Sequence, residues 1–329
     1  MKKLLLLSIL SFNLFAQTDQ QLPFNKVVLW GHKLHSHTHS YIHYAFVKAF
    51  KHLGYETLWL DKKDNISGID FSNTLFITEG QVDQDMPLRR DCRYILHNCN
   101  MAKYKTLFDA GNCIILQVYT HDVLPRNVEK IDDLTYIDKG EKILYMPWAT
   151  DLLPFEIDAI KASLVWPLQK KKEIHFVGTL SGCDFTNIYN PFIAACKENG
   201  VTFKHRASVG ADENVRLIQE SYIAPAFEGQ WQCQVGYAPC RIFKNISYGQ
   251  PGVTNSKTVY ALFKEKIVFN EDTHQLFYDA QKAIQTMTQE DLFWQMDFVR
   301  DHHTYLNRIE HLLNFLNLIQ PFETREIRP

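Results

Sequence analysis

Arg241 and Lys244 stand three residues apart in Cys240-Arg-Ile-Phe-Lys-Asn-Ile-Ser-Tyr-Gly-Gln-Pro-Gly252. On a helix that spacing puts both cations on one face. Gly249 suits a left-handed C-terminal cap and Pro251 forbids further helix, so the segment reads as a helix, a tight turn and a short strand at Val253-Thr254. Cations beside open turn backbone suit a phosphorylated ligand. Arg offers paired contacts and Lys a point charge, so together they can bracket a diphosphate and offset charge on a leaving nucleotide. The plainer alternative is a salt-bridged surface face. Asn245, Ser247 and Tyr248 on the helix could hydrogen-bond ribose or base, and Asn255 and Ser256 lie just past the next strand as further donor contacts.

Gly178-Thr179-Leu180-Ser181-Gly182 begins where a strand predicted at Glu173–Gly178 ends. Open sheets bind ligands at the carboxyl ends of their strands, and glycine there leaves room for backbone amides to meet a pyrophosphate. An ordinary strand-to-helix turn is the competing reading. In the first half, Gly31-His32-Lys33-Leu34-His35-Ser36-His37-Thr38-His39 follows the first strand and carries three readings. A histidine such as His32 or His37 could act as general base on an acceptor hydroxyl. His35, His37 and His39 with His43 could bind a metal, His39 and His43 being one helical turn apart, although the loop holds no carboxylate. Or the histidines only cap and solvate a loop. Glu79 ends the third strand, where a carboxylate could orient or deprotonate the acceptor; Trp231, in Glu228-Gly-Gln-Trp231, could stack on a base or sugar or sit in the core.

The elements around these residues alternate. Strands are predicted at Lys26–Gly31, Tyr55–Asp61, Thr74–Thr78, Tyr94–His97, Cys113–Val118 and Lys142–Met146, and again at Glu173–Gly178, Val201–Lys204, Tyr222–Ala224, Val253-Thr254 and Lys266–Phe269. Between the first two, Ile42, Ala45, Phe46, Ala49, Phe50 and Leu53 keep the spacing of an amphipathic helix, which Gly54 stops. Further helices are predicted at Asn190–Asn199, Val215–Gln219 and Val259–Phe263, and an amphipathic run fills Leu306–Ile319. Strand, helix, strand in this order builds parallel, doubly wound sheets. The two prolines of Pro147-Trp-Ala-Thr-Asp-Leu-Leu-Pro154 mark a crossover between lobes. The expected architecture is therefore α/β, with two Rossmann-like lobes facing a cleft: residues 24–150, then residues 151–329 with the C-terminal helices.

The segment from Arg241 through Gly249 and Pro251 to Val253-Thr254 resembles the donor-binding signature of GT-B glycosyltransferases, in which an Arg opens a helix ending in Gly and a Pro-containing strand follows. The likeness covers Glu173–Thr273 well and the first half in outline. One departure stands out: many relatives carry a ribose-holding Glu where this chain has Lys244. The resemblance implies a metal-independent, hexosyltransferase-type enzyme without cofactor, moving a sugar from a nucleotide-sugar donor to the hydroxyl of a glycan or other acceptor. Gly178, Thr179, Arg241, Lys244, Asn245, Asn255 and Ser256 would hold the donor, and His32, His37 and Glu79 would serve the acceptor.

Composition bounds these readings. The 329 residues, 46% hydrophobic and 13% aromatic, suffice for a substantial core, and the net charge of −2 supplies no basic field for nucleic acid. Lys2 and Lys3 followed by Leu4–Phe15, with Ala16 as cleavage position, form a secretory signal pattern over residues 1–16. It implies export, or membrane association if the segment stays as an anchor. Seven cysteines lack any CxxC spacing, so a zinc ribbon is not expected, while Cys92–Cys99 or Cys233–Cys240 could pair in an exported chain. Two α/β lobes behind a leader also describe a periplasmic solute-binding protein, and a degenerate, non-catalytic transferase-like module is a third expectation.

Overall fold

The structure, a computed structural model, describes residues 23–33, 38–79, 85–99, 101–120, 128–168, 170–178 and 185–321. His35, His37, Thr179 and the leader lie outside the described residues. The first lobe is an eight-stranded sheet in the order β2-β1-β3-β4-β5-β8-β7-β6. Strands β1 (Lys26–Trp30), β2 (Thr57–Leu60), β3 (Thr74–Glu79), β4 (Arg93–His97), β5 (Cys113–Gln117) and β8 (Ile143–Tyr145) are parallel. β6 (Glu129–Asp132) and β7 (Thr135–Asp138) add an antiparallel edge. β3 is buried along its whole length, as a strand covered on both faces must be. Helix α1 (Thr38–His52) turns Ile42, Ala45, Phe46, Ala49 and Phe50 into the core. Each buried phenylalanine there contributes about 1.5–3 kcal/mol.

The second lobe pairs β9 (Glu173–Val177) with β10 (Thr202–Arg206), and β11 (Val253–Thr254) with β12 (Val268–Phe269), both in parallel. Residues 222–226 lie between the pairs: the Tyr222 amide donates to the Glu173 carbonyl at 2.7 Å, and the Ala226 amide to the Val253 carbonyl at 2.8 Å. The two pairs remain separate two-stranded sheets, and the strand expected at Tyr222–Ala224 is replaced by this irregular connection; Ile242, Phe243 and Ile246 of the helix Cys240–Ser247 are fully buried.

The C-terminal helices, expected together in the second lobe, divide between the two. Helix Gln289–His302 packs Leu292, Met296 and Val299 into the second-lobe core, whereas helix Tyr305–Ile319 returns to the first lobe and buries Tyr305, Ile309, Leu312 and Phe315 beside α1. The chain therefore crosses between lobes twice, and the crossings run side by side. Thr150 bridges Thr304 in parallel, its amide donating to the His303 carbonyl at 3.0 Å. Buried Arg308 donates from Nε to the Pro147 carbonyl at 2.8 Å and from Nη2 to the Trp148 carbonyl at 3.1 Å.

Neither expected disulfide, Cys92–Cys99 or Cys233–Cys240, forms among the described residues, and buried Cys92 places its thiol on the Phe71 carbonyl. Among the described residues no helix is long and apolar enough to cross a membrane.

Candidate functional site

The glycine turn and the cationic helix, separate in sequence, meet in space. Gly178 ends β9 with φ +156°, and a side chain there would run into the Arg241 guanidinium. Arg241 donates from Nη2 to the Val177 carbonyl at 2.8 Å and rests its guanidinium 4.2 Å from the centroid of the Phe176 ring. Glycine suits position 178 because any side chain is strained at this backbone angle, and a Cβ there would also push aside the end of the Arg241 side chain. Burial pulls the Arg241 pKa below its ordinary value, and no carboxylate is among the groups acting on it.

Lys244 sits one turn further along the helix, 5% exposed. Its ammonium lies 3.8 Å from the centroid of Tyr41, on α1 of the first lobe, and 5.8 Å from that of Tyr248. Burial lowers its pKa and the nearby Asp151 carboxylate works the other way. Asp151 itself accepts a hydrogen bond from the Tyr248 hydroxyl at 3.2 Å. Neither Arg241 nor Lys244 forms an ion pair among the described residues, so the expectation of a salt-bridged surface face is not met.

Three other expected donor residues are tied to backbone groups of the second lobe, and of these Asn245 also lines the space between the lobes. Asn245 donates to the Ala224 carbonyl at 2.8 Å. Asn255 accepts from the Glu228 amide and donates to its carbonyl, both at 2.9 Å. Ser256 caps the helix Lys257–Leu262, accepting from the Val259 amide at 3.4 Å. All three are buried and their polar atoms hold the second-lobe wall in place. They also point to a residue that sequence reasoning passed over in favour of its neighbour Trp231. Glu228 is fully buried, and burial pushes its carboxyl up to about 8 against the opposing pull of Ser256 and Cys233. A lone acid before a glycine gave no signal; the double clamp by Asn255 gives it away.

Between the lobes lies a cleft of about 870 Å³, lined from the first lobe by Tyr41, Tyr44 and Trp59 and from the second by Gly178, Arg241 and Lys244. Trp231 stands at its edge, 56% exposed, its ring 4.9 Å from that of Tyr119, and so is not a core residue.

The first-lobe candidates gather elsewhere. His32 follows β1 with φ +62°, and its Nε2 lies 2.6 Å from Glu79 Oε2 at the end of β3. Both side chains are buried and neither lines the cleft. His39, in the first turn of α1, brings its ring to 5.1 Å from His32 and 5.5 Å from His97. His97 ends β4 as the register partner of Glu79. His43 Nδ1 is 2.9 Å from the Gly31 carbonyl, so this histidine braces the turn after β1. Burial drives the His43 and His97 pKa values down to about 3. Burial works to raise that of Glu79, but the His32 hydrogen bond and the charges of His39, His32 and His97 outweigh it and hold the carboxyl below its ordinary value.

No protein-family model matches this chain, and no curated protein matches its sequence. Solved structures do. An α-glucosyltransferase in complex with UDP superposes with a TM-score of 0.57 at 10% identity, over 89% of this chain and 99% of that one. The same enzyme type with UDP and a 13-mer DNA containing a central A:G mismatch gives 0.55 at 8% identity, over 89% and 99%. An α,α-trehalose-phosphate synthase from Burkholderia vietnamiensis gives 0.51 at 10% identity, again over 89% and 99%. The chain thus has the two-lobed α/β fold of GT-B glycosyltransferases, as the signature around Arg241 implied.

Proposed function

We infer that this protein is a glycosyltransferase that moves a sugar from a nucleotide-sugar donor to an acceptor hydroxyl. One observation carries the reading: two cations that form no ion pair among the described residues, one braced against a glycine turn at a strand end, face an interlobe cleft of about 870 Å³. Solved examples of the fold hold UDP in complex.

In this reading the donor diphosphate lies between the Gly178 turn and the helix face of Arg241 and Lys244. Fixed cations in a half-buried cleft offset the charge that builds on the departing nucleotide without reorganising at the moment of reaction. They take the part a divalent ion plays in other sugar transfers, so the reaction needs no metal at the diphosphate. Asn245, Asn255 and Ser256 are positioning residues for that wall. Glu228, protonated below about pH 8, adds no negative charge behind an anionic donor. Tyr41, Tyr44 and Trp59 offer the acceptor an aromatic wall suited to a glycan or other hydroxyl compound, and a net charge of −2 gives nothing to draw a polyanion. His32 and Glu79 lie behind that wall, bonded to each other, and take no part in this reading; His37 is outside the described residues. The leader would place the enzyme at or across a membrane.

The test is thermal stabilisation of the protein by UDP, GDP, CMP, ADP and their sugar conjugates. A ligand at a hundred times its dissociation constant adds about 2.7 kcal/mol. Stabilisation by one nucleotide identifies the base. Stabilisation by free sugars or amino acids with none by any nucleotide would overturn the transferase in favour of a solute-binding protein.

A further inference from the structure

The buried histidines of the first lobe do not line the interlobe cleft, yet they are costly to keep. Glu79 is 2% exposed and its Oε1 has no hydrogen-bond partner among the described residues; His97 is 5% exposed and neither ring nitrogen has one there. Buried polar groups left in that state are unfavourable, and most proteins avoid them. Three adjacent parallel strands, β1, β3 and β4, deliver His32, Glu79 and His97 to one point, and the first turn of α1 lowers His39 onto it.

We propose that His32, His39 and Glu79 bind a divalent transition-metal ion of the zinc class, with His97 as the fourth ligand. The ligating atoms of the first three already lie within 4.8 Å of one another. A tetrahedral ion with bonds of about 2.1 Å holds its ligand atoms about 3.4 Å apart, so closure needs side-chain adjustments on the order of an ångström. Two imidazoles and a carboxylate are a set that zinc uses when a fourth position is left for another donor, and the unpartnered ring of His97 stands beside His39 to fill it. The ion would take the place of the proton shared between His32 and Glu79, and that proton would leave to solvent on binding.

The surroundings are those of a held ligand set. Trp148 packs edge-on against both His39 and His97, with centroids 6.4 Å and 5.0 Å away, and fixes both ring planes. His43, anchored on the Gly31 carbonyl, backs His32 at 5.3 Å. The local reading of the sequence grouped His35, His37, His39 and His43 and found no carboxylate; the sheet supplies that carboxylate from β3. Such an ion would lie in the first lobe, not at the diphosphate, and so is independent of how the donor is held. It would stiffen the start of α1, whose Tyr41 and Tyr44 form the cleft wall.

The experiment is metal analysis of the full, tag-free chain, stripped with chelator, equilibrated with Zn²⁺ and desalted, followed by Co²⁺ substitution read by visible absorption. The expected result is about one ion per chain with a four-coordinate Co²⁺ spectrum, and at least ~10-fold weaker binding in His39→Ala and Glu79→Gln. Zn²⁺ should raise the melting temperature of the native chain and leave that of His39→Ala unchanged. His39 is only partly buried, so this variant carries the test if Glu79→Gln fails to fold. No retained ion in the native chain, or equal retention in both variants, overturns the site. Neither outcome depends on transferase activity, so failure here and failure of the donor reading are separable.

Discussion

The two lobes are built to one plan and use their strand ends in opposite ways. In the second, the carboxyl end of β9 meets a helix that presents a guanidinium and an ammonium, neither in an ion pair among the described residues, and both line the interlobe cleft. In the first, the ends of β1, β3 and β4 converge on imidazoles and a carboxylate, closed off from that cleft and bonded among themselves. Parallel sheets collect polar side chains at this edge in either case. What differs is the sign of the charge left over: one edge is short of an anion, the other is rich in lone pairs. The same topology thus offers a place for a nucleotide diphosphate on one side and for a cation on the other.

Glu228 puts most strain on this contrast, because it is a buried acid behind the anion-seeking edge. Its folded pKa of about 8 lies above the ordinary 4.5, so between those values the native state holds a proton that the unfolded chain releases. Its contribution to stability is complete below pH 4.5, falls as pH rises and is gone above about pH 8, with a slope of about 1.4 kcal/mol per pH unit inside the window. Denaturant titrations at pH 5 and pH 8 should show this slope in the native protein and its loss in Glu228→Gln. Equal slopes would mean that the acid is charged at neutral pH and that the contrast fails.

Arg241→Ala comes next. Removing a fixed charge of this kind should lower turnover by about 10²–10³-fold, or 2.7–4 kcal/mol, with the melting temperature little changed. Initial rates above a tenth of the native value would remove Arg241 from the site. Gly178→Ala should displace the same guanidinium while leaving residue 241 unchanged. Backbone strain and displacement of Arg241 on the order of 1–3 kcal/mol predict donor binding weakened roughly tenfold or more by calorimetry. The smallest change is expected for Lys244→Met. Donor affinity should fall by about tenfold, while stability holds or rises because a buried ammonium is no longer desolvated. A variant that binds donor normally would leave Arg241 as the whole of the anion site.

The donor edge was legible in sequence because its signals are local. Helix spacing, a terminal glycine, a following proline and a glycine after a strand each act within a few residues, and the structure keeps all of them. The contact between Gly178 and Arg241 was not legible, since it joins positions 63 residues apart through the order of the strands. The histidine cluster shows the same limit more strongly. His97 read only as the last residue of a strand, and its meeting with Glu79 follows from β3 lying beside β4. The β6–β7 hairpin escaped notice because Glu129–Asp132 is exposed on every residue and shows no alternation. Leu306–Ile319 was readable as an amphipathic helix, but an apolar face does not say which of two cores it will cover.

The paired crossings at Thr150 and Thr304 have a mechanical consequence. A single linker lets two bodies bend and twist about it freely. Here two strands of chain run abreast, bonded at 3.0 Å and pinned by the Arg308 guanidinium on the Pro147 and Trp148 carbonyls. A ribbon of that width bends readily across its flat face and resists torsion. The lobes should therefore move like the covers of a book about one spine, so that Tyr41 leaves Lys244 and returns to it along a single arc.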